Sequence, residues 1–196
     1  SSKMLNLKKI TGLAHLHVEC FIKPGDRVID ATAGNGYDTI FLAEKVGLNG
    51  HVYAFDVQEE ALEKCRCHLD ERGLSERVSL IKAGHQNLYD YIYNPVSVVM
   101  YNLGYLPGGS REVTTIKQTT KESIKQALNL IKPGGLISIV LYMGHAQGAE
   151  EALELLPFFK RLDPSVYHVV HVSLLNQDNA PPELVLIQKN FFPGTA

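Results

Sequence analysis

A chain of 196 residues has room for one hydrophobic core of ordinary size and little left for a second, so a single domain over 1–196 is expected. Hydrophobic residues at 45% and charged residues at 20% exclude a disordered or fibrous chain, and a net charge of -2 excludes a protein that coats nucleic acid through a broad basic field. No apolar run approaches the roughly 20 residues of a membrane span, the first ten residues are too polar for a secretory leader, and Cys20, Cys65 and Cys67 are too few for a disulfide framework, which fits free thiols in a reducing compartment.

Along the chain, short β-branched runs alternate with longer helical patterns, the signal for a parallel sheet with helices on both faces. Arg27–Ala31 reads as a strand, followed by a glycine turn and a helix over Tyr37–Val46 that Gly47 and Gly50 close. His51–Phe55 is a second strand, and Ala61, Leu62, Cys65 and Leu69 form one stripe of a helix that ends at Gly73. Strands recur at Val78–Ile81, Val96–Tyr101 and Leu136–Leu141, with a helix between the last two carrying Ile116, Ile124, Ala127, Leu128 and Ile131. Helical spacing returns at Ala152, Leu155, Leu156 and Phe159. Val166–Leu174 and Leu184–Gln188 then follow with no helix between them, so an antiparallel hairpin at a sheet edge is expected, with Pro181 and Pro182 placed where a missing amide is tolerated.

The most informative segment is Val28–Thr39, in which a strand runs through small residues into a helix start. Gly34 and Gly36 let the backbone turn sharply beside a ligand, and Asp30 can accept hydrogen bonds from a cationic amine. A dinucleotide fingerprint needs a third glycine where Thr39 stands, so the segment fits a nucleotide-like ligand without a pyrophosphate, such as a sulfonium. Asp56 follows the second strand, where a carboxylate can chelate the two hydroxyls of a ribose or cap the next helix, with Gln58 beside it. After the third strand, His85 can stack or donate to a flat base, or stand solvated in a loop.

Asn102 and Tyr105 leave the fourth strand within Tyr101–Gly109. Ligands of doubly wound sheets lie beyond the carboxyl ends of the strands, so Asn102 can hold an amine by its carbonyl oxygen and Tyr105 can wall a flat base, unless the segment is a plain glycine-proline turn. Tyr142 and His145 leave the fifth strand toward the same rim. His15-x-His17 and Cys65-x-Cys67 point to nearly opposite faces of a helix, so no metal site is expected from either pair. Cys20 has no evident base partner for a nucleophilic role.

Charge is uneven. From Gly104 to Lys132 the cations Arg111, Lys117, Lys121, Lys125 and Lys132 against Glu112 and Glu122 leave +3, whereas Asp56–Glu76 stands at -4. The basic stretch, with Lys3, Lys8 and Lys9, is the expected meeting place for phosphates.

A parallel sheet ending in an antiparallel hairpin resembles the class I methyltransferases. DATAGNGYDTIFLA (Asp30–Ala43), FDVQ (Phe55–Gln58), GHQNL (Gly84–Leu88), NLGYLPGG (Asn102–Gly109), YMGH (Tyr142–His145) and LNQDNAPPELVLIQK (Leu175–Lys189) together resemble a family of small methyltransferases labelled rRNA methylases. Its characterised members methylate the aminomethyl group of 5-aminomethyl-2-thiouridine at the tRNA wobble position. The resemblance implies an α/β, doubly wound Rossmann-like fold with a seven-stranded, mostly parallel sheet. It also implies S-adenosylmethionine, left as S-adenosylhomocysteine, bound by Asp30, Ala31, Gly34, Asn35, Gly36, Asp38, Thr39, Asp56, Val57, Gln58 and His85. Asn102, Tyr105, Tyr142 and His145 become the catalytic rim. The implied partner is a tRNA anticodon stem-loop, with neither membrane nor metal, and the protein a monomer or homodimer. The implied location is the bacterial cytoplasm, or an organelle once a transit peptide is removed. One departure stands in Gly144–Gly148, where Ala146 and Gln147 occupy a turn expected to be richer in glycine.

Overall fold

The computed structural model describes residues 4–104 and 117–192, apart from the side chains at 117, 118 and 147. Helix α1 (Ile10–Glu19) precedes strand β1 (Arg27–Asp30), α2 (Tyr37–Val46), β2 (His51–Asp56), α3 (Glu59–Glu71), β3 (Val78–Lys82), the one-turn α4 (Leu88–Tyr91), β4 (Val96–Leu103), α5 (Lys117–Leu130), β5 (Ile131–Leu141), α6 (Ala146–Lys160), β6 (Tyr167–Val172) and β7 (Glu183–Lys189). The strands form one seven-stranded sheet in the order β3-β2-β1-β4-β5-β7-β6. The first five strands run parallel, and β7 pairs antiparallel with both β5 and β6. The doubly wound fold and the terminal hairpin are both present.

Period-two alternation divides the core. Val28, Val98, Met100, Val140 and Leu184 face a cluster that α1, α2 and α3 close with Leu13, Val18, Leu42, Val46, Cys65 and Leu69. Ile29, Val99, Tyr101, Ile139 and Val185 face the other cluster, closed by Leu88 of α4, Ile124 and Leu128 of α5, and Leu155 and Phe159 of α6. Because both faces are covered, the central strand β4 is buried at all but one of its residues, and it shows as an apolar run rather than an alternating one.

Two elements depart from expectation. Helix α1 has no counterpart in the sequence reading: its stripe of Ile10, Leu13, Ala14 and Val18 is buried, but the first twenty residues carry no cap or turn signal strong enough to frame it. Ile131, expected at the end of a helix, instead opens β5 opposite Val96. A buried isoleucine serves either period, and the register shift between Val96 and Val98 absorbs the Lys132-Pro133-Gly134-Gly135 interruption. Ile116, placed on that helix in the sequence reading, lies outside the described residues.

Strand order reverses direction at β1, between β2 and β4. At such a switch point the loops leaving neighbouring strands turn to opposite faces and leave a crevice at the carboxyl edge of the sheet. Helix α1 runs down that side of the molecule: His15 stands beside Asp38 in the first turn of α2, and Glu19 pairs with Lys45 in its last turn at 3.1 Å. The amino end of α1, with the exposed Lys8 and Lys9, therefore lies toward the carboxyl edge.

Candidate active site

The turn after β1 is shaped by two glycines with positive φ, Gly34 at 52° and Gly36 at 89°. Gly36 is required twice over. It is the left-handed cap of α2, and a Cβ there would stand 2.8 Å from Cys65 Sγ and 3.2 Å from Cys65 Cα on the packed helix α3. Asp30, fully buried, braces this turn from behind rather than lying open to a ligand. One of its oxygens accepts from the Thr32 amide at 3.1 Å and the other from the Thr39 hydroxyl at 2.7 Å. Burial, reinforced by the Asp38 carboxylate, pushes its pKa up to about 7.

Asp56 reaches across from β2. Its carboxylate accepts from the Gly34 amide and from the Gln58 amide, each at 2.9 Å. The helix-cap reading is corrected by this geometry: Gln58 itself is the N-cap of α3, and Asp56 instead ties the turn after β1 to the loop after β2. Both Asp56 and Gln58 remain partly accessible, Val57 is exposed, and Ala31 and Thr39 are buried beneath the turn.

His85 is not the solvated loop histidine that the sequence left open. It is buried, its ring meets Tyr101 edge-on at 5.5 Å, and burial pushes its pKa down to about 4, so the imidazole is neutral near pH 7. Its Nδ1 has no hydrogen-bond partner. Gln126 of α5 steadies this loop, donating to the Gln86 carbonyl at 2.7 Å and accepting from the Tyr89 amide at 3.0 Å. That residue gave no signal in the sequence, since a glutamine on an amphipathic helix reads as surface.

At the end of β4, Asn102 is the junction between turn and rim. Its backbone amide donates to Thr32 Oγ1 at 2.7 Å, its Nδ2 donates to Asp38 Oδ2, and its Oδ1 accepts from the Tyr142 hydroxyl at 3.2 Å. Asp38, named from the sequence for the cofactor, thus also serves the rim, and its other oxygen accepts from His15 Nε2 at 2.7 Å. In the sequence, the spacing of His15 to His17 excludes joint metal binding and gives His15 no other role. The two rings do diverge, His17 Nδ1 donating to the Leu13 carbonyl within α1 at 2.7 Å. His145 caps α6 and stands exposed, its ring 6.5 Å from that of Tyr142. The rim residue Tyr105, the cations Lys3 and Arg111 and the side chain of Lys117 lie outside the described residues.

Gly148 explains why the turn after β5 tolerates Ala146 and Gln147. A Cβ on Gly104 would stand 2.5 Å from Gly148 Cα, and one on Gly148 would stand 2.1 Å from the Tyr142 carbonyl oxygen. The two loops touch backbone to backbone at that point, so the required small residue is Gly148. Lys132, counted with the RNA-facing charge, is corrected: it lies near the amino end of β5, 3.9 Å from Asp26 and away from the site's edge.

Three carboxylates, Asp30, Asp38 and Asp56, therefore surround a glycine turn. Such a cradle suits a ligand carrying positive charge and opposes a pyrophosphate. The residues fit an adenosyl sulfonium, and the buried Nδ1 of His85 stands without a partner in the loop after β3.

Comparison with known proteins agrees. The family described as "Putative rRNA methylase" matches residues 52–188. The chain is 39% identical to the chloroplastic tRNA (mnm(5)s(2)U34)-methyltransferase of Arabidopsis thaliana, over 89% of this chain and 67% of that protein. Among solved structures, a Clostridium thermocellum protein of the same rRNA-methylase description superposes with a TM-score of 0.90 at 42% identity, covering 96% of this chain and 100% of the other. A Streptococcus mutans "putative methyltransferase", solved in complex with SAH, superposes with a TM-score of 0.84 at 38% identity, covering 95% and 99%.

Proposed function

Because this chain belongs to the "Putative rRNA methylase" family of S-adenosylmethionine-dependent methyltransferases, we propose that it methylates the aminomethyl nitrogen of 5-aminomethyl-(2-thio)uridine at the wobble position of tRNA. The carrying observation is the polar amide of Asn102 at the crevice, locked between Asp38 and Tyr142, in a chain 39% identical to a wobble-uridine methyltransferase.

When bound, S-adenosylmethionine supplies a sulfonium methyl that a neutral amine can displace, with S-adenosylhomocysteine as the by-product. Asp56 would receive the ribose hydroxyls, and His85 Nδ1, which has no partner of its own, would accept from the adenine amine. Asn102 Oδ1 keeps a second lone pair beside its bond from Tyr142, and this lone pair accepts one N–H of the substrate amine, turning the nitrogen lone pair toward the methyl. That chemistry would form one N–C bond at the expense of one C–S bond, whose electrons would stay on sulfur. The extra proton on nitrogen passes to solvent on the open side of the rim, where His145 stands. Since the leaving group is already activated, alignment carries the acceleration, and alignment alone can supply on the order of 7 to 11 kcal/mol.

The substrate would approach from the carboxyl edge, toward which the exposed Lys8 and Lys9 at the amino end of α1 lie. Anticodon loops are read by stacking together with phosphate contacts, which an acidic protein can provide through a local basic rim. The test is mass spectrometry of wobble nucleosides after incubating undermodified tRNA with protein and cofactor. A gain of one methyl on 5-aminomethyl-(2-thio)uridine is expected. Methyl incorporation into ribosomal RNA or a small amine, with none at the wobble position, overturns the assignment.

A further inference from the structure

Asn102 can work only if its amide is the right way round, and a side-chain amide has two nearly equivalent orientations about its last torsion. The structure contains a device that chooses between them. A carboxylate only accepts hydrogen bonds, so whatever faces Asp38 must donate. On one side the donor is Asn102 Nδ2, which forces Oδ1 to the opposite side, toward Tyr142. On the other side the donor is His15 Nε2, 2.7 Å from Asp38 Oδ1. His15 is itself held flat on Phe41 of α2, ring centroids 3.9 Å apart and planes 3° from parallel. The ring cannot swing away from the carboxylate without losing that stack.

We propose that His15 is a positioning residue for methyl transfer, acting through Asp38 to fix the orientation of the Asn102 amide. This rests on the reading of Asn102 as the group that meets the substrate amine. His15 lies on α1, before the first strand, and reaches the site only because α1 packs along α2. His17, two residues on, bonds within its own helix, so the assignment concerns this one histidine. Removing the His15 donor leaves Asp38 Oδ1 unpaired in a site where Asp38 is buried, and the carboxylate regains freedom to rotate away from Asn102.

The test uses two substitutions. His15→Phe keeps a ring on Phe41 but has no donor, whereas His15→Gln can place its amide near the Nε2 position. In His15→Phe, kcat for methyl transfer into tRNA should fall about tenfold or more, while the KM for tRNA and the calorimetric Kd for S-adenosylmethionine stay within about twofold. His15→Gln should recover most of the loss. The side-chain amide resonances of Asn102, assigned by their disappearance in Asn102→Ala, should move in His15→Phe and return toward their original place in His15→Gln. A His15→Phe enzyme with unchanged kcat, unmoved Asn102 resonances, or equal losses in kcat and cofactor affinity overturns the proposal. If the unsubstituted protein methylates no wobble nucleoside, the functional reading fails on its own, and the Asn102 resonances still decide whether His15 orients the amide.

Discussion

Asn102 concentrates three hydrogen bonds in one side chain and its amide. Asn102→Ala should therefore lower kcat by about 100-fold, the order expected when a reacting group is misplaced, while cofactor affinity changes far less; parallel losses in both, measured by single turnover and calorimetry, would count against its role. Asp30 makes a second prediction. Its pKa of about 7 lies above the ordinary carboxylate range, so near neutrality a sizeable share of the unliganded protein carries a proton there. A cationic ligand favours the ionised form, so binding of S-adenosylmethionine should release protons, most strongly near and below pH 7 and not at pH 9. Calorimetry at pH 6.5 in buffers of different ionisation enthalpy would detect this. S-adenosylhomocysteine, lacking the sulfonium charge, should release fewer, and a buffer-independent enthalpy for both ligands would contradict the picture.

At the level of elements, the site is made by contacts between loops that belong to different βα units. The turn after β1 rests on α3 through the Gly36–Cys65 approach, so Gly36→Ala combines a left-handed backbone with a steric clash. It should destabilise the fold by about 1–3 kcal/mol and weaken cofactor binding. Adding Cys65→Ala should relieve only the Sγ contact and leave both the left-handed backbone and the approach to Cys65 Cα, as read from denaturant midpoints of the single and double variants. Between α5 and α6, Thr120 donates to the buried Glu151 at 3.2 Å, while the other carboxylate oxygen has no partner. Burial pushes this pKa up to about 7. An acid whose pKa is raised on folding binds more protons in the native state between its unfolded value and about 7, so its contribution to stability declines as pH rises through that window. Glu151→Gln should therefore stabilise the protein at pH 8, by about 1–3 kcal/mol at most, and change little near pH 4. Equal effects at both pH values in urea titrations would remove the argument.

For the whole molecule, net charge and local charge oppose each other. If the proposed tRNA substrate is met by a few lysines at one edge of a chain of net charge -2, affinity should fall with salt on a shallow slope, reflecting a small number of phosphate contacts. Filter binding between low and moderate ionic strength measures it, and a flat response would favour a small amine as acceptor. Much of the architecture was legible in the sequence: β-branched runs and helical stripes repeat at separations that only a parallel sheet accommodates, and the order of Asp30, Gly34, Gly36 and Asp56 along the first two units marks a nucleotide cradle. These features are local, set by neighbours within a few residues, and local patterns survive in one dimension. What the tertiary structure decided is pairing. That Asp56 binds the Gly34 amide rather than capping α3, that His85 is buried against Tyr101, that Lys132 lies near the far edge, and that His15 on an unforeseen helix reaches Asp38 all depend on which segments fold side by side. No spacing rule encodes a contact between residues 15, 38, 102 and 142; the sheet's switch point and the packing of α1 along α2 bring them within hydrogen-bonding distance.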